Sequence, residues 1–290
     1  MNKDLGRLLL EHSMSGMIKL SELDILSAQT GIPAPGLEVL AVNRGIIPFR
    51  YLRNLGSISA AEQQNLFHAK VAVIGCGGLG GYVLEQLARL GVGAIIGWDY
   101  DIFEEHNLNR QMLSTVDRIG QKKAEAAAAR VEAVNPAVTF QGIEEKFDCE
   151  NGKRYLTGCQ VVVDALDNIP VRLELAGTCR EMQIPLVHGA VEGWYGQLAT
   201  QFPGDKVIEQ IYAHGETGNP EKKYISTLAF TPALVASLQV AEVIKILLER
   251  GELLRNKIML INLLDMDMET IEVSREDSTG CSTAEVIQNK

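Results

Sequence analysis

Short apolar runs alternate with amphipathic stretches through the middle of the chain. Residues 70–74 (KVAVI) form a run of strand length. Residues 78–90 then place Leu79, Val83, Leu87 and Leu90 at helical spacing. The pattern repeats with a strand over 94–99, a loop over 100–109 and an alanine-rich helix over 120–134, ended by Asn135-Pro136. Strands over 138–143 and 160–165, a helix over 170–182 and a strand over 185–189 complete the series. Strands alternating with helices predict a parallel sheet with right-handed crossovers.

The two ends break this rhythm. Residues 1–48 predict a small helical appendage. Ser21 to Asp24 resembles a capping box opening one helix, which Gly31 and Pro33 stop. Pro35 starts a second helix, and Gly45 ends it. Residues 57–68 predict a further helix, with Ser59 and Glu62 as its capping box. Beyond the alternating series, 195–202 reads as a partly alternating strand. The stretch 203–227 is polar and irregular, 234–248 is a strongly apolar helix, and 257–264 with 270–273 makes a closing hairpin. The expected fold is α/β: a Rossmann-like, doubly wound, mostly parallel sheet with antiparallel strands in the C-terminal half. It divides into an appendage at 1–48, a core domain at 49–275 and a tail at 276–290.

Charge and cysteine content narrow the function. The net charge of −10 disfavours a general nucleic-acid or anionic-membrane binder. No apolar run reads as a membrane span, and the N-terminal apolar stretch is shorter than a signal peptide requires, so the expectation is a cytoplasmic protein. The five cysteines are odd in number and form no CxxC pair, which speaks against a disulfide framework and a structural zinc site.

The clearest local signal is Gly75-Cys76-Gly77-Gly78-Leu79-Gly80, between a strand and a helix. Gly75, Gly77 and Gly80 satisfy GxGxxG, in which missing Cβ atoms admit phosphate to the backbone and the helix N-terminus attracts its charge. Asp99 ends the next strand, where a carboxylate can accept from ribose hydroxyls. This much leaves NAD and ATP open. The choice comes from Asn107-Leu108-Asn109-Arg110-Gln111, Lys123, Asp167 and Asn168, which converge on the carboxyl edge of the sheet. A dehydrogenase does not need this set. Chemistry on a nucleotide phosphate does, because Arg and Lys neutralise phosphoryl charge and Asp holds Mg²⁺.

GCGGLG, Asp99-Tyr100-Asp101, NLNRQ, GQKKAE and DALDN, in this order and spacing, resemble the MoeB/ThiF/HesA family, relatives of the ubiquitin-activating enzymes. Arg50-Tyr51-Leu52-Arg53-Asn54 resembles that family's RYxRQ segment. The resemblance covers roughly residues 49–275. It implies a homodimeric adenylyltransferase that uses ATP and Mg²⁺ on the C-terminal glycine of a ubiquitin-fold sulfur carrier, in molybdopterin, tungstopterin or thiamine synthesis. It implies that Gly75, Gly77, Gly78 and Gly80 cradle the nucleotide and that Asp99 binds the ribose. Asn107, Asn109, Arg110 and Lys123 would hold the phosphates. Asp167 would bind Mg²⁺ with Asn168 beside it, and Arg53 would enter the partner subunit's site. The 203–227 segment would be the crossover under which the carrier tail threads, near His188, Gly189 and Gln197.

The chain departs from the family in two places. The two zinc-binding CxxC pairs of many members are missing; Cys281 stands alone near the second position. Lys222 to Thr227 lacks the cysteine that some members use for a covalent step. The reaction is therefore expected to stop at the adenylate. The alternatives are a same-fold enzyme acting on tRNA or a peptide, an NAD(P)-dependent oxidoreductase, and a nucleotide binder without turnover.

Overall fold

The computed structural model describes residues 2–213 and 226–273. The chain begins with α1 (Asn2–Glu11), β1 (Met17–Ile18), α2 (Leu20–Thr30), α3 (Ala34–Val42) and β2 (Ile47–Pro48). β1 and β2 pair in parallel, and Leu9, Ile18, Leu23, Leu26, Leu37, Ala41 and Ile46 form a separate apolar cluster. Ser21 does not cap α2. The helix is capped two residues earlier, at Lys19, with no side-chain bond, and closes on Gly31 in the left-handed conformation. α4 (Ala60–His68) carries the expected capping box between Ser59 and Glu62.

Next come β3 (Lys70–Ile74), α5 (Gly80–Leu90), β4 (Ala94–Trp98), α6 (Lys123–Val134), β5 (Thr139–Ile143), α7 (Cys149–Tyr155), β6 (Val161–Asp164), α8 (Ile169–Glu181) and β7 (Leu186–Glu192). β8 (Tyr195–Gln201), α9 (Val207–Tyr212), α10 (Phe230–Leu248), β9 (Lys257–Asn262) and β10 (Asp267–Glu272) follow. The eight-stranded sheet has the order β10-β9-β8-β7-β6-β3-β4-β5. β5, β4, β3, β6 and β7 are parallel, and β8, β9 and β10 extend the sheet antiparallel.

Both faces of the central strands are covered, which is why their sequences are continuously apolar. Val71, Val73, Ile95, Val161, Val163 and Val187 pack toward α5, α6 and α10. The alternate residues Ala72, Ile74, Ile96, Trp98, Val162 and Leu186 pack toward α7, α8 and α9. α10 has 19 residues, and its mean hydropathy of 1.6 meets the composition of a membrane span, which the sequence reading did not find. It packs on α5, β7 and β8 and buries Val235, Ala236, Gln239, Val240, Glu242 and Val243, as the core helix of this sheet.

α9 corrects the expectation of an irregular 203–227 stretch, since Val207 and Ile208 are buried. Residues 214–225, and the expected tail with Cys281, lie outside the described residues.

Candidate active site

β3 delivers the glycine loop to the carboxyl edge of the sheet, and α5 leaves from it. Gly75 has φ +100°, and a Cβ there would lie 2.6 Å from the carbonyl oxygen of Ala165. At Gly80 a Cβ would lie 1.7 Å from the carbonyl oxygen of Gly75, so these two glycines permit the tight turn. Gly77 and Gly78 are different. Their nearest neighbours to a Cβ, Gln111 and Pro232, stand at 3.4 and 3.7 Å, which leaves this part of the loop open to a ligand.

Asp99 follows β4 and is 9% exposed. Its Oδ2 accepts the amide of Cys76 at 2.8 Å, and its Oδ1 accepts the amide of Asp101 at 2.9 Å. Burial raises its pKa, opposed by the Lys123 cation and the two amides. Asp99 thus fixes the glycine loop. Lys123 is the first residue of α6, 7% exposed, with its Nζ 3.2 Å from Asp101 Oδ2. Sequence reading gave Asp101, the partner of Lys123, no role of its own; its DYD context was the available signal.

The NLNRQ segment folds back over the loop, but its residues divide the work. Asn107 is buried, and its Oδ1 accepts the Glu104 amide at 2.9 Å, so it shapes the segment. Asn109 donates to the Thr227 carbonyl at 3.1 Å. Arg110 Nη1 donates to the His106 carbonyl and Asn109 Oδ1, both at 2.9 Å, with its stem beside Gly78. Gln111 is 7% exposed, and its Oε1 is buried without a hydrogen-bond partner beside Gly77. A buried acceptor left open at the glycine loop fits a donor from a bound nucleotide.

Asp167 is exposed in the turn after β6. Asn168 caps α8 by accepting the Val171 amide at 3.2 Å. Among the described residues no group of three or more His, Cys, Asp or Glu side chains could hold a metal. Mg²⁺ needs only one or two carboxylates when substrate phosphates complete its shell, so Asp167 fits that ion beside a nucleotide.

His188 is wholly buried, its Nδ1 2.7 Å from Asp164 Oδ2, and the side chain of Gln239 covers Gly189. Neither residue can line a path for a carrier tail. Gln197 is half-buried and donates to the Tyr212 hydroxyl at 3.1 Å. Burial pushes the thiols of Cys76, Cys159 and Cys179 up, Cys159 to about 11, so none of these three is an activated nucleophile.

Arg53 is not in this cluster. Two residues before it, the Tyr51 ring packs on Gly91, just past α5, and the Tyr51 hydroxyl accepts from Asn135 Nδ2, just past α6, at 2.8 Å. Both helices start at the site, and α5 alone separates Gly91 from the loop by about 16 Å. Arg53 therefore sits toward the opposite edge of the sheet from its own glycine loop. It is exposed and makes no ion pair among the described residues.

The sequence profile described as "ThiF family" matches residues 51–283. The chain belongs to the ThiF family. It is 36% identical to the SAMP-activating enzyme E1 of Haloferax volcanii over 77% of this chain and 84% of that protein. It is 32% identical to the sulfur carrier protein adenylyltransferase of Thermus thermophilus over 78% of this chain and 87% of that one. The Haemophilus influenzae molybdopterin-synthase adenylyltransferase is 27% identical, over 81% and 95%. Among solved structures, E. coli MccB superimposes with a TM-score of 0.68 at 22% identity, over 83% of this chain and 74% of that one, a likeness of fold. The chain is an adenylyltransferase of the ubiquitin-like-modifier-activating type.

Proposed function

We propose that this adenylyltransferase uses ATP to activate the C-terminal glycine of a ubiquitin-fold sulfur carrier, acting in the cytoplasm as a homodimer in molybdopterin, tungstopterin or thiamine synthesis. The observation that carries the reading is the convergence of the open Gly77-Gly78 backbone, the unpartnered Gln111 acceptor, Arg110 and Lys123 at one sheet edge. ATP is named in the structure of E. coli MccB with ATP, and carriers are named in the curated relatives.

The chemistry follows from the charges. A carrier carboxylate is already ionised near neutral pH and needs no general base. It attacks the α-phosphorus; the new C–O–P linkage forms as the bond to the β-phosphate oxygen breaks, and pyrophosphate leaves with the electron pair. The protein's share is positioning and charge stabilisation. Gly77 and Gly78 admit the phosphates, Asp99 holds the loop and faces the ribose, and Arg110 and Lys123 meet the negative oxygens. Asp167 would hold Mg²⁺, which supplies charge neutralisation on the phosphate oxygens. Asn107, Asn109 and Asn168 keep these groups in register through backbone bonds. Arg53 would serve a second copy's site, a reading supported by its distance from its own loop. In this reading residues 1–48 are an appendage to a catalytic unit at 49–275; residues 276–290 lie outside the described residues.

The test is ATP–pyrophosphate exchange against ubiquitin-fold carriers ending in Gly-Gly. Carrier-dependent exchange is expected. ATP binding without exchange with any carrier would overturn the substrate assignment.

A further inference from the structure

Behind the turn that carries Asp167 lies a buried polar hub that the reaction scheme leaves unused. Arg172, on α8, is 6% exposed. Its Nε donates to the Leu166 carbonyl at 3.1 Å, and its Nη2 donates to the same carbonyl. Nη2 also reaches the Gly189 carbonyl on β7 at 3.3 Å, and Nη1 donates to the Tyr212 hydroxyl at the end of α9. The guanidinium stands 3.7 Å from Asp164 Oδ2 and 5.8 Å from the centre of the Tyr212 ring. His188 closes the hub. Its Nδ1 donates to Asp164, which leaves Nε2 free to accept from the Tyr212 hydroxyl at 3.3 Å. The hub thus ties together three parts of the fold just beyond the Asp164–His188 end of the β6–β7 ladder. These are the β6–α8 turn, the middle of β7 and the last turn of α9.

We propose that Arg172 is a positioning residue: through the Leu166 carbonyl it sets the turn that carries Asp167, and through Tyr212 it locks the end of α9 to β7. The proposal rests on the reading of Asp167 as the Mg·ATP residue. Burying a cation here is costly unless it is fully used, and Arg172 is fully used by three acceptors and one carboxylate. A planar fork can hold these acceptors at once, whereas a single ammonium cannot.

The test is the Arg172→Lys protein, which keeps the charge facing Asp164. ATP is titrated calorimetrically with and without Mg²⁺, and amide hydrogen exchange is followed by mass spectrometry. The metal-free ATP affinity is expected to stay within about twofold, while the gain on adding Mg²⁺ shrinks about tenfold, the usual size of an outer-shell effect. Exchange should quicken in residues 165–169 and 209–213 and stay slow in β3 and β4. An unchanged Mg²⁺ gain would overturn the proposal. So would equal losses with and without metal accompanied by faster exchange throughout the sheet. Tyr212→Phe provides the second arm: it should quicken exchange in α9 and leave the Mg²⁺ gain intact, and unchanged α9 exchange would sever the proposed link. If the unmodified protein itself gains nothing from Mg²⁺, the reading of Asp167 fails instead.

Discussion

Asp99 Oδ2 accepts the backbone amide of Cys76 at 2.8 Å, across the sheet edge between β4 and the glycine loop. The same carboxylate accepts Asp101 through its other oxygen. One side chain therefore fixes both the phosphate loop and the segment that pairs with Lys123. Charge-assisted bonds of this kind are worth about 1.5–3 kcal/mol each. Asp99→Ala is expected to weaken ATP binding by about 10–100-fold, by calorimetry. Exchange of the 76–80 amides in the nucleotide-free protein should also quicken, because the loop loses its anchor before any ribose is present. Unchanged amide exchange would leave Asp99 as a ribose contact alone.

The four loop glycines separate into two pairs. Gly80→Ala drives a methyl group into the Gly75 carbonyl, a backbone atom that cannot step aside. A clash of this kind costs about 3 kcal/mol. For a chain of this length that lowers Tm by about 6–12 °C. Gly78→Ala meets Pro232 at 3.7 Å and the Arg110 stem at 4.0 Å, both ordinary contacts, and should fold with a nearly unchanged Tm. Its methyl group occupies the open part of the loop, so ATP affinity should fall instead. Thermal denaturation and calorimetry on the two variants read the difference.

The residues that chain pattern reveals are those whose physics is local. KVAVI followed by GCGGLG announces a buried strand, a tight turn and a helix start, and the structure has them in that order. Ser59 and Glu62 announce the start of α4. Three short helices were hidden. α1 carries Gly6 and charges inside a helix; α7 is polar and held by its Asp148 cap; α9 sits among Pro203, Gly204 and Asp205. The site divides the same way. Lys123, Arg110 and Asp167 were legible as charges at strand ends, but Asn107 and Asn168 prove to be engaged in backbone caps. Arg172 looks like a solvated helix charge in sequence. Its burial depends on Asp164, eight positions earlier, and Tyr212, forty positions later, which only the fold brings together.

The hub also sets the response to acid. Burial lowers the His188 pKa below 6.5, despite its bond to Asp164. The unfolded chain binds a proton on this histidine near pH 6.5, while the folded chain stays neutral, so stability rises with pH across that window. Burial also opposes the Asp164 charge, but Arg172 and His188 outweigh it and hold its pKa below the usual carboxylate range. Its contribution is present above about pH 4 and is lost as pH falls further. Urea unfolding should therefore show stability falling as pH drops from 7 to 5. His188→Asn keeps a donor for Asp164 without a titrating ring and should flatten that slope. Parallel slopes for the two proteins would assign the acid response elsewhere.

Arg53 and Lys123 belong to opposite edges of one chain, separated by the lengths of α5 and α6. If Arg53 acts on the reaction, it must act on another subunit. Arg53→Ala is expected to leave ATP affinity unchanged and to lower carrier-dependent pyrophosphate exchange by about 10²–10³, the usual cost of one transition-state charge contact. Lys123→Ala should be impaired at its own site. Unfolded together and refolded, the two defective proteins form mixed dimers in which one site has its own Lys123 and receives Arg53 from the other chain. Exchange should return in the mixture and in neither protein alone. No recovery in a mixture that light scattering shows to be dimeric would remove Arg53 from the partner's site and leave it an exposed surface charge.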